Sequence, residues 1–266
     1  MSIATEIQRL KQAKADIKTA IENKGVEVGD GLIDTYAEKI VSIESGDNEY
    51  DKFWDSFQRN GNRVNYEYGF GGEGWNDETF KPKYDIKPTQ STYMFSKCGI
   101  TDMITALKNA GVTFDFSQVK DTSYLAFNSS ITRFPTIDTS SRPNINHFFM
   151  GNKNLEYIEK VILKSDGSQT FNDYSFKDNP KLKEIRFEGV IGKSGFNIKD
   201  STLLSKASIT SIINALSTTT SGLTVTLSQT AVNNAFETST GSADGSTSQE
   251  WLNLKATKSN WTISLV

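Results

Sequence analysis

Histidine and cysteine are almost missing from this chain of 266 residues, with His147 and Cys98 the single instance of each. One cysteine excludes an intrachain disulfide and a cysteine-rich metal cluster. One histidine excludes a multi-histidine zinc site and makes any Ser-His-Asp triad hinge on His147. No run of 18 apolar residues is present, so nothing reads as a membrane span. The start, MSIATEIQRLKQAKADIKTAI, lacks the apolar core of a signal peptide, and the expectation is a product made in a cytoplasm without one. The net charge is -3 and the basic residues form no stripe, which gives no reason to expect nucleic acid as a partner. Aliphatic content is low too. The hydrophobic fraction is 36%, and 16 Phe, 9 Tyr and 4 Trp carry much of it, which suits an elongated, strand-rich protein better than a thick α/β core.

What is present begins with a helical pattern. Ile3, Ile7, Leu10, Ile17 and Ile21 fall on one face over residues 3–21. Written as heptads, Ile3, Leu10 and Ile17 take one seam and Ile7, Lys14 and Ile21 the other. Isoleucine in both seams favours three or four strands, and Lys14 is placed to fix register. Three heptads are equally compatible with an amphipathic helix packed on a second helix, Leu32–Ile43, across the break at Gly25. Ser45-Gly46-Asp47-Asn48 reads as a linker. The expected organisation is a helical attachment segment over 1–45, followed by an aromatic-rich segment over 46–90.

Beyond residue 90 the chain repeats itself. Each unit has an aromatic, a polar turn, then two apolar residues three positions apart. Phe95 leads to Ile100 and Met103, Phe127 to Ile131 and Phe134, Phe149 to Leu155 and Ile158, and Phe176 to Leu182 and Ile185. Ile198 with Leu203 is a frayed fifth unit. The leading residues lie 32, 22, 27 and 22 apart, near the period of leucine-rich repeats. A unit this small cannot bury its apolar face alone, so stacking must supply the core. Phe187 is expected in that core beside Leu182 and Ile185. The fold class expected is α+β: an N-terminal helical hairpin, then an irregular leucine-rich-repeat solenoid over 91–206 with capping segments at both ends. Trp54, Phe57, Tyr66, Phe70, Trp75 and Phe80 would cover the first rung. Residues 207–266, with helices at Ser208–Leu216 and Gln229–Glu237 and strands at Leu223–Ser228 and Trp261–Val266, form an αβαβ-like cap. The Ser/Gly-rich stretch Thr238–Gln249 reads as an exposed loop.

Candidate chemistry is sparse. GFGGEG (Gly69–Gly74) lacks the Gly-Lys-Ser/Thr ending of a phosphate-binding loop and reads as a tight turn. Cys98, at a repeat turn, reads as a small buried filler. Glu73, Asp77 and Glu78 beside Trp75, and Asp115 near Asp121, are the acids that a polysaccharide-cleaving reading would draw on.

The repeats resemble the degenerate leucine-rich repeats of BspA-type surface proteins. FWDSFQRNGNRVNYEYGFGGEGWNDETFKPKYDI resembles the opening segment of such proteins encoded by phages and prophages of Gram-positive bacteria. LTVTLSQTAVNNAF and EWLNLKATKSNWTISLV are similar to their closing segment, and EIQRLKQAKADIKTAIENKGVEVGDGLIDTYAEKI to a header shared by phage tail, baseplate and fibre proteins. The resemblance implies a non-enzymatic virion component without cofactor or metal, released by lysis. Its header would bind other virion proteins, and its repeats would face a host receptor, protein or glycan, or another virion protein. A homo-oligomer, with a trimer favoured, and no membrane insertion complete the expectation. The alternative is a BspA-like adhesin of the bacterium itself.

Overall fold

The structure, a computed structural model, describes residues 3–23, 28, 53–54, 64–141, 144–237 and 248–266. The chain mixes helices with short strands in open sheets, an α+β arrangement, and divides into two compact units, Met1–Ser56 and Phe57–Val266. The sequence placed that division earlier, at residue 45. The expected second helix (32–43), the linker (45–48), Phe57 and most of the Ser/Gly-rich loop lie outside the described residues.

In the first unit, α1 (Ile3–Glu22) is a helix of 20 residues. Charged and amide pairs one turn apart brace it: Glu6 with Arg9 at 2.7 Å, and Gln12 donating to Asp16 at 2.8 Å. Ile3, Ile7, Leu10 and Ile17 are exposed within the single chain, at 82%, 47%, 55% and 37%, whereas Ile21 is buried.

In the second unit the strands are short and pair in parallel, each with a segment a turn of chain further on. β1 (Val64–Asn65) pairs with β2 (Pro88–Gln90). β3 (Arg133–Phe134), β4 (Ile137–Asp138), β5 (Asn144–Ile145), β6 (Tyr157–Ile162), β7 (Thr170–Phe171) and β8 (Glu184–Glu188) continue the pattern, β3 and β4 pairing with β6, β6 with β8, and β5 with β7. Helix α2 (Met103–Ala110) interrupts one turn, capped by Asp102 at its start and by left-handed Gly111 at its end. Parallel pairing fixes register, so equivalent residues of successive turns lie above one another.

The core follows from that register. Ile100 and Met103, Ile131 and Phe134, Leu155 and Ile158, and Leu182 and Ile185 are all fully buried. Phe70 stacks on Phe95 with centroids 5.3 Å apart, and Phe149 lies 6.2 Å from Phe176. Between these pairs the equivalent position is Ala126, not Phe127 as the sequence suggested. The Ala126 amide donates to Phe148 as Phe95 donates to Leu125, which sets the register one residue earlier. Phe127 is therefore half-buried. Phe134 fills the space that Ala126 leaves, edge-on to Phe95 at 6.1 Å and to Phe149 at 4.9 Å. Phe187 is also only half-buried, and in the frayed unit Leu204, not the exposed Leu203, is the buried anchor.

A polar row runs through this core. Asn152 Nδ2 donates to the Phe149 carbonyl at 2.8 Å, and its Oδ1 accepts from the Ser129 amide and hydroxyl at 2.8 and 2.6 Å. Asn179 repeats the arrangement one turn on, donating to Phe176 at 2.8 Å and accepting from the Asn152 amide at 3.2 Å. Buried turns leave backbone groups without strand partners, and these amide side chains satisfy them.

The stack ends on α3 (Lys206–Ala215). Its Ser208 and Ser211 hydroxyls accept from the Ile185 and Phe187 amides, each at 2.9 Å. They stand where the next strand would pair with β8, and so close an edge that would otherwise be open. Strand β9 (Phe196–Asn197) continues to β10 (Leu223–Leu227), which carries β11 (Trp261–Leu265) on its other side. Helices α4 (Gln229–Phe236) and α5 (Gln249–Ala256) lie between β10 and β11 in sequence, and α5 was not foreseen. Lys258 is buried and caps the end of α3, donating to the carbonyls of Asn214 at 3.1 Å and of Leu216.

Phe134→Ala is expected to cost about 3–5 kcal/mol, the range for removing a fully buried aromatic, because nothing can fill the gap over Ala126. Phe127→Ala is expected to cost under about 2 kcal/mol. Equal losses in urea denaturation would contradict the register. Lys258→Met leaves the α3 carbonyls unpaired and is expected to cost about 1–3 kcal/mol by the same measurement.

Candidate interaction surface

Each turn of the stack has a corner of five residues whose sequence draws no notice in isolation: Tyr68–Gly72, Tyr93–Lys97, Tyr124–Asn128, His147–Gly151 and Tyr174–Asp178. The first residue of four of these corners is left-handed, with φ of 57° at Tyr68, 55° at Tyr93, 56° at Tyr124 and 49° at His147. The fifth residue is left-handed in all five, including Lys97 (56°), Asn128 (52°) and Asp178 (59°). Side-chain-bearing residues in this region cost on the order of 1–2 kcal/mol each. Hydrogen bonds between corners hold them there: Tyr93 N–H to Ser123 at 3.2 Å, Phe95 to Leu125 at 2.7 Å, and Phe149 to Ser175 at 2.9 Å.

The consequence is an aromatic row on the surface. Tyr68 stacks on Tyr93 at 5.0 Å, Tyr93 on Tyr124 at 4.6 Å, Tyr124 on His147 at 4.3 Å and His147 on Tyr174 at 5.1 Å. No pair departs from parallel by more than 13°. The Lys177 ammonium lies 5.0 Å over the Tyr174 ring and closes that end. Ring faces are thus used within the row, and ring edges point outward. Tyr68 and Tyr174, at its two ends, are exposed. Sequence reasoning missed this row because it took the neighbouring Phe as the only anchor. The available signal was an aromatic two positions before each core Phe, at Tyr68/Phe70, Tyr93/Phe95, His147/Phe149 and Tyr174/Phe176. Tyr68 and Phe70 also make the segment read as a cap the first rung of the row.

The strand face is different in kind. Arg133 pairs with Asp102 at 2.8 Å, Lys183 with Glu156 at 2.9 Å and Lys160 with Glu188 at 2.8 Å, each across neighbouring turns. Such exposed pairs contribute about 0–1 kcal/mol. Their effect here is to cancel charge, so this face presents no field of one sign.

Three of the acids singled out in the sequence, Asp77, Asp115 and Asp121, serve turns. Asp77 accepts from the Thr101 amide and hydroxyl, Asp115 from Ser117 at 2.6 Å and Asp121 from the Ser123 amide at 2.7 Å. Asp77 and Asp102 share a cleft of about 520 Å³ with Phe80, Lys81 and α2. Burial raises the Asp102 pKa, but hydrogen bonds from Thr105 and Arg133 outweigh it and hold the carboxyl below its usual range. A general acid for glycoside cleavage needs the opposite shift. Among the described residues no group of three or more His, Cys, Asp or Glu is gathered to hold a metal, and no helix is long and apolar enough to cross a membrane. Burial pushes the Cys98 thiol up to about 12, which keeps it out of the thiolate form. Gly71 and Gly72 of GFGGEG complete a corner, and that run does not lead into a helix among the described residues.

No family model matches the chain, and neither a curated protein nor a solved structure matches it. Any function must be argued from these surfaces.

His147 has one titratable consequence. Burial lowers its pKa, and Asn172 Nδ2 lies 3.3 Å from its Nδ1, where it donates to the neutral ring. A histidine depressed on folding contributes stability that is fully present above its unfolded pKa of about 6.5 and is lost as pH falls from there through the lower folded-state value. The melting temperature is therefore expected to fall as pH is lowered below about 6.5. His147→Tyr, which keeps the row stacked, should flatten that window in a thermal melt series. An unchanged slope would remove His147 as the cause.

Proposed function

We propose that this chain is a non-enzymatic structural protein of a bacteriophage virion, of tail, baseplate or fibre, and resides in the particle. It attaches and oligomerises through its N-terminal helices. Its second unit is a short, irregular leucine-rich-repeat solenoid, displayed for contact with a host-surface receptor or another virion protein. The observation that carries the reading is the outward row on α1. Ile3, Ile7, Leu10 and Ile17 stand in solvent in the single chain, with Lys14 half-buried among them. Four exposed apolar residues at heptad spacing are a seam without its partner strands. The resemblance of this segment to phage headers, and of residues 53–86, 223–236 and 250–266 to the ends of phage-encoded repeat proteins, supplies the setting. The parallel stacking of turns supports the solenoid, and the corner row and the neutralised strand face suit display better than catalysis.

Sedimentation tests the attachment half. The full chain is expected to form a discrete oligomer, a trimer by the isoleucine content of both seams, and a chain lacking residues 1–45 is expected to be a folded monomer. Ile7→Asp with Ile17→Asp should reproduce the monomer without altering the second unit. A strictly monomeric full chain would overturn oligomerisation through α1.

A further inference from the structure

Beside the first two rungs of the aromatic row lies a groove of about 350 Å³, lined by Tyr68, Gly71, Gly72, Tyr93, Lys97 and Phe127, with Ser96 at its floor. Three features build it. Gly72 stands where later corners carry Lys97, Asn128, Gly151 and Asp178, and a Cβ at Gly72 would meet nothing within 4 Å, unlike one at Gly151, so the space is open. Phe127, pushed out of the core by Ala126, supplies a half-exposed aromatic wall, edge-on to Tyr124 at 5.5 Å. Lys97 is exposed and, unlike Lys160 and Lys183, has no ion pair among the described residues. No carboxylate lines the groove. Lys97 is the one charged side chain in its lining, and Tyr68, Tyr93 and Phe127 are its aromatic walls.

We propose that this groove binds a hexuronic acid unit of an extended anionic polysaccharide, with Phe127 and the tyrosine edges against the sugar ring and Lys97 on its carboxylate. Apolar sugar faces pack on aromatic surface, while phenol and serine hydroxyls suit the ring hydroxyls. An acidic peptide offers the same charge but the wrong repeat. An extended peptide advances about 3.2–3.4 Å per residue, whereas the rungs stand 4.3–5.1 Å apart, close to the advance of one hexose in an extended chain. Successive sugars can therefore meet successive rungs beyond the groove.

The proposal rests on the reading that this unit is displayed for contact, and it is tested separately from oligomerisation. Titration calorimetry of the full chain would use oligogalacturonate, its carboxyl-reduced neutral counterpart, and an oligoglutamate of equal charge. Binding of oligogalacturonate is expected to exceed that of both others and to weaken with salt. Lys97→Gln is expected to weaken it about tenfold, with little effect on the neutral sugar. Phe127→Ala should weaken both sugars, and Lys181→Gln, whose partner is Asn154 and which does not line the groove, should change neither. Circular dichroism of each variant separates loss of binding from loss of fold. No binding of oligogalacturonate, equal binding of oligoglutamate, or indifference to Lys97→Gln in a folded protein would each overturn the proposal. None of these results alters the sedimentation outcome.

Discussion

The backbone hydrogen bond from one turn of chain to the next, in parallel register, is the constraint on which the second unit depends. Because Phe95 N–H reaches Leu125 and Ala126 N–H reaches Phe148, residues of equivalent position are forced to a common spacing. Every row follows from it. The phenylalanines stack inside, the Ser129, Asn152 and Asn179 side chains link inside the turns, and the tyrosines stack outside. A side chain that fits one rung is then held against its own equivalent, which makes short strands of two residues sufficient. A two-residue strand alone is well below what stands independently in water.

The same constraint creates an end problem, because parallel stacking always leaves one more row of unpaired amides. At the C-terminal side the chain solves it with hydroxyls, Ser208 and Ser211 accepting from the last central strand, while β10 and β11 extend the other side of the stack. Lys258 and Asn260, reaching carbonyls at and beyond the end of α3, fasten this closing segment, and the Trp261 indole donates to Ser217 at 2.9 Å. By contrast α1 keeps an apolar row in solvent.

How much of this was legible in the sequence depended on whether a position carries its own chemical signature. The pairs Ile100/Met103, Ile131/Phe134, Leu155/Ile158 and Leu182/Ile185 were readable because two apolar residues three positions apart, set between polar ones, mark a buried edge. The register at Phe127 was not, since Ala126 and Phe127 are adjacent and the larger aromatic drew the anchor. Only the compensating Phe134, packed between Phe95 and Phe149, shows why a small residue is tolerated there. The tyrosine row was hidden for a related reason. Left-handed corners are normally announced by glycine or asparagine, and here tyrosine, histidine and lysine occupy them, held by neighbouring turns that a single sequence does not display. Helix α5 went unread because only Trp251 on it is buried, so its pattern is weakly amphipathic.

Regular stacking also bears on what kind of function such a surface supports. Catalysis by side chains requires unlike groups to converge, with environments that drive their pKa values apart. A register of repeated turns does the reverse, placing like groups at similar intervals in similar surroundings: aromatic rings beside aromatic rings, and cation opposite carboxylate on the strand face. Among the described residues, the carboxyls that depart from their ordinary values, at Asp85, Asp102, Glu156 and Asp166, all depart downward, toward the charged form that a neighbouring donor favours. Similar intervals suit a partner that also repeats. Where the repetition breaks, at Gly72 and at Ala126 with its displaced Phe127, the surface gains a groove bordered by aromatic rings and by Lys97. Specific recognition is therefore best sought at the irregularities of the stack, with the regular rows supplying the scale that a repeating ligand would have to match.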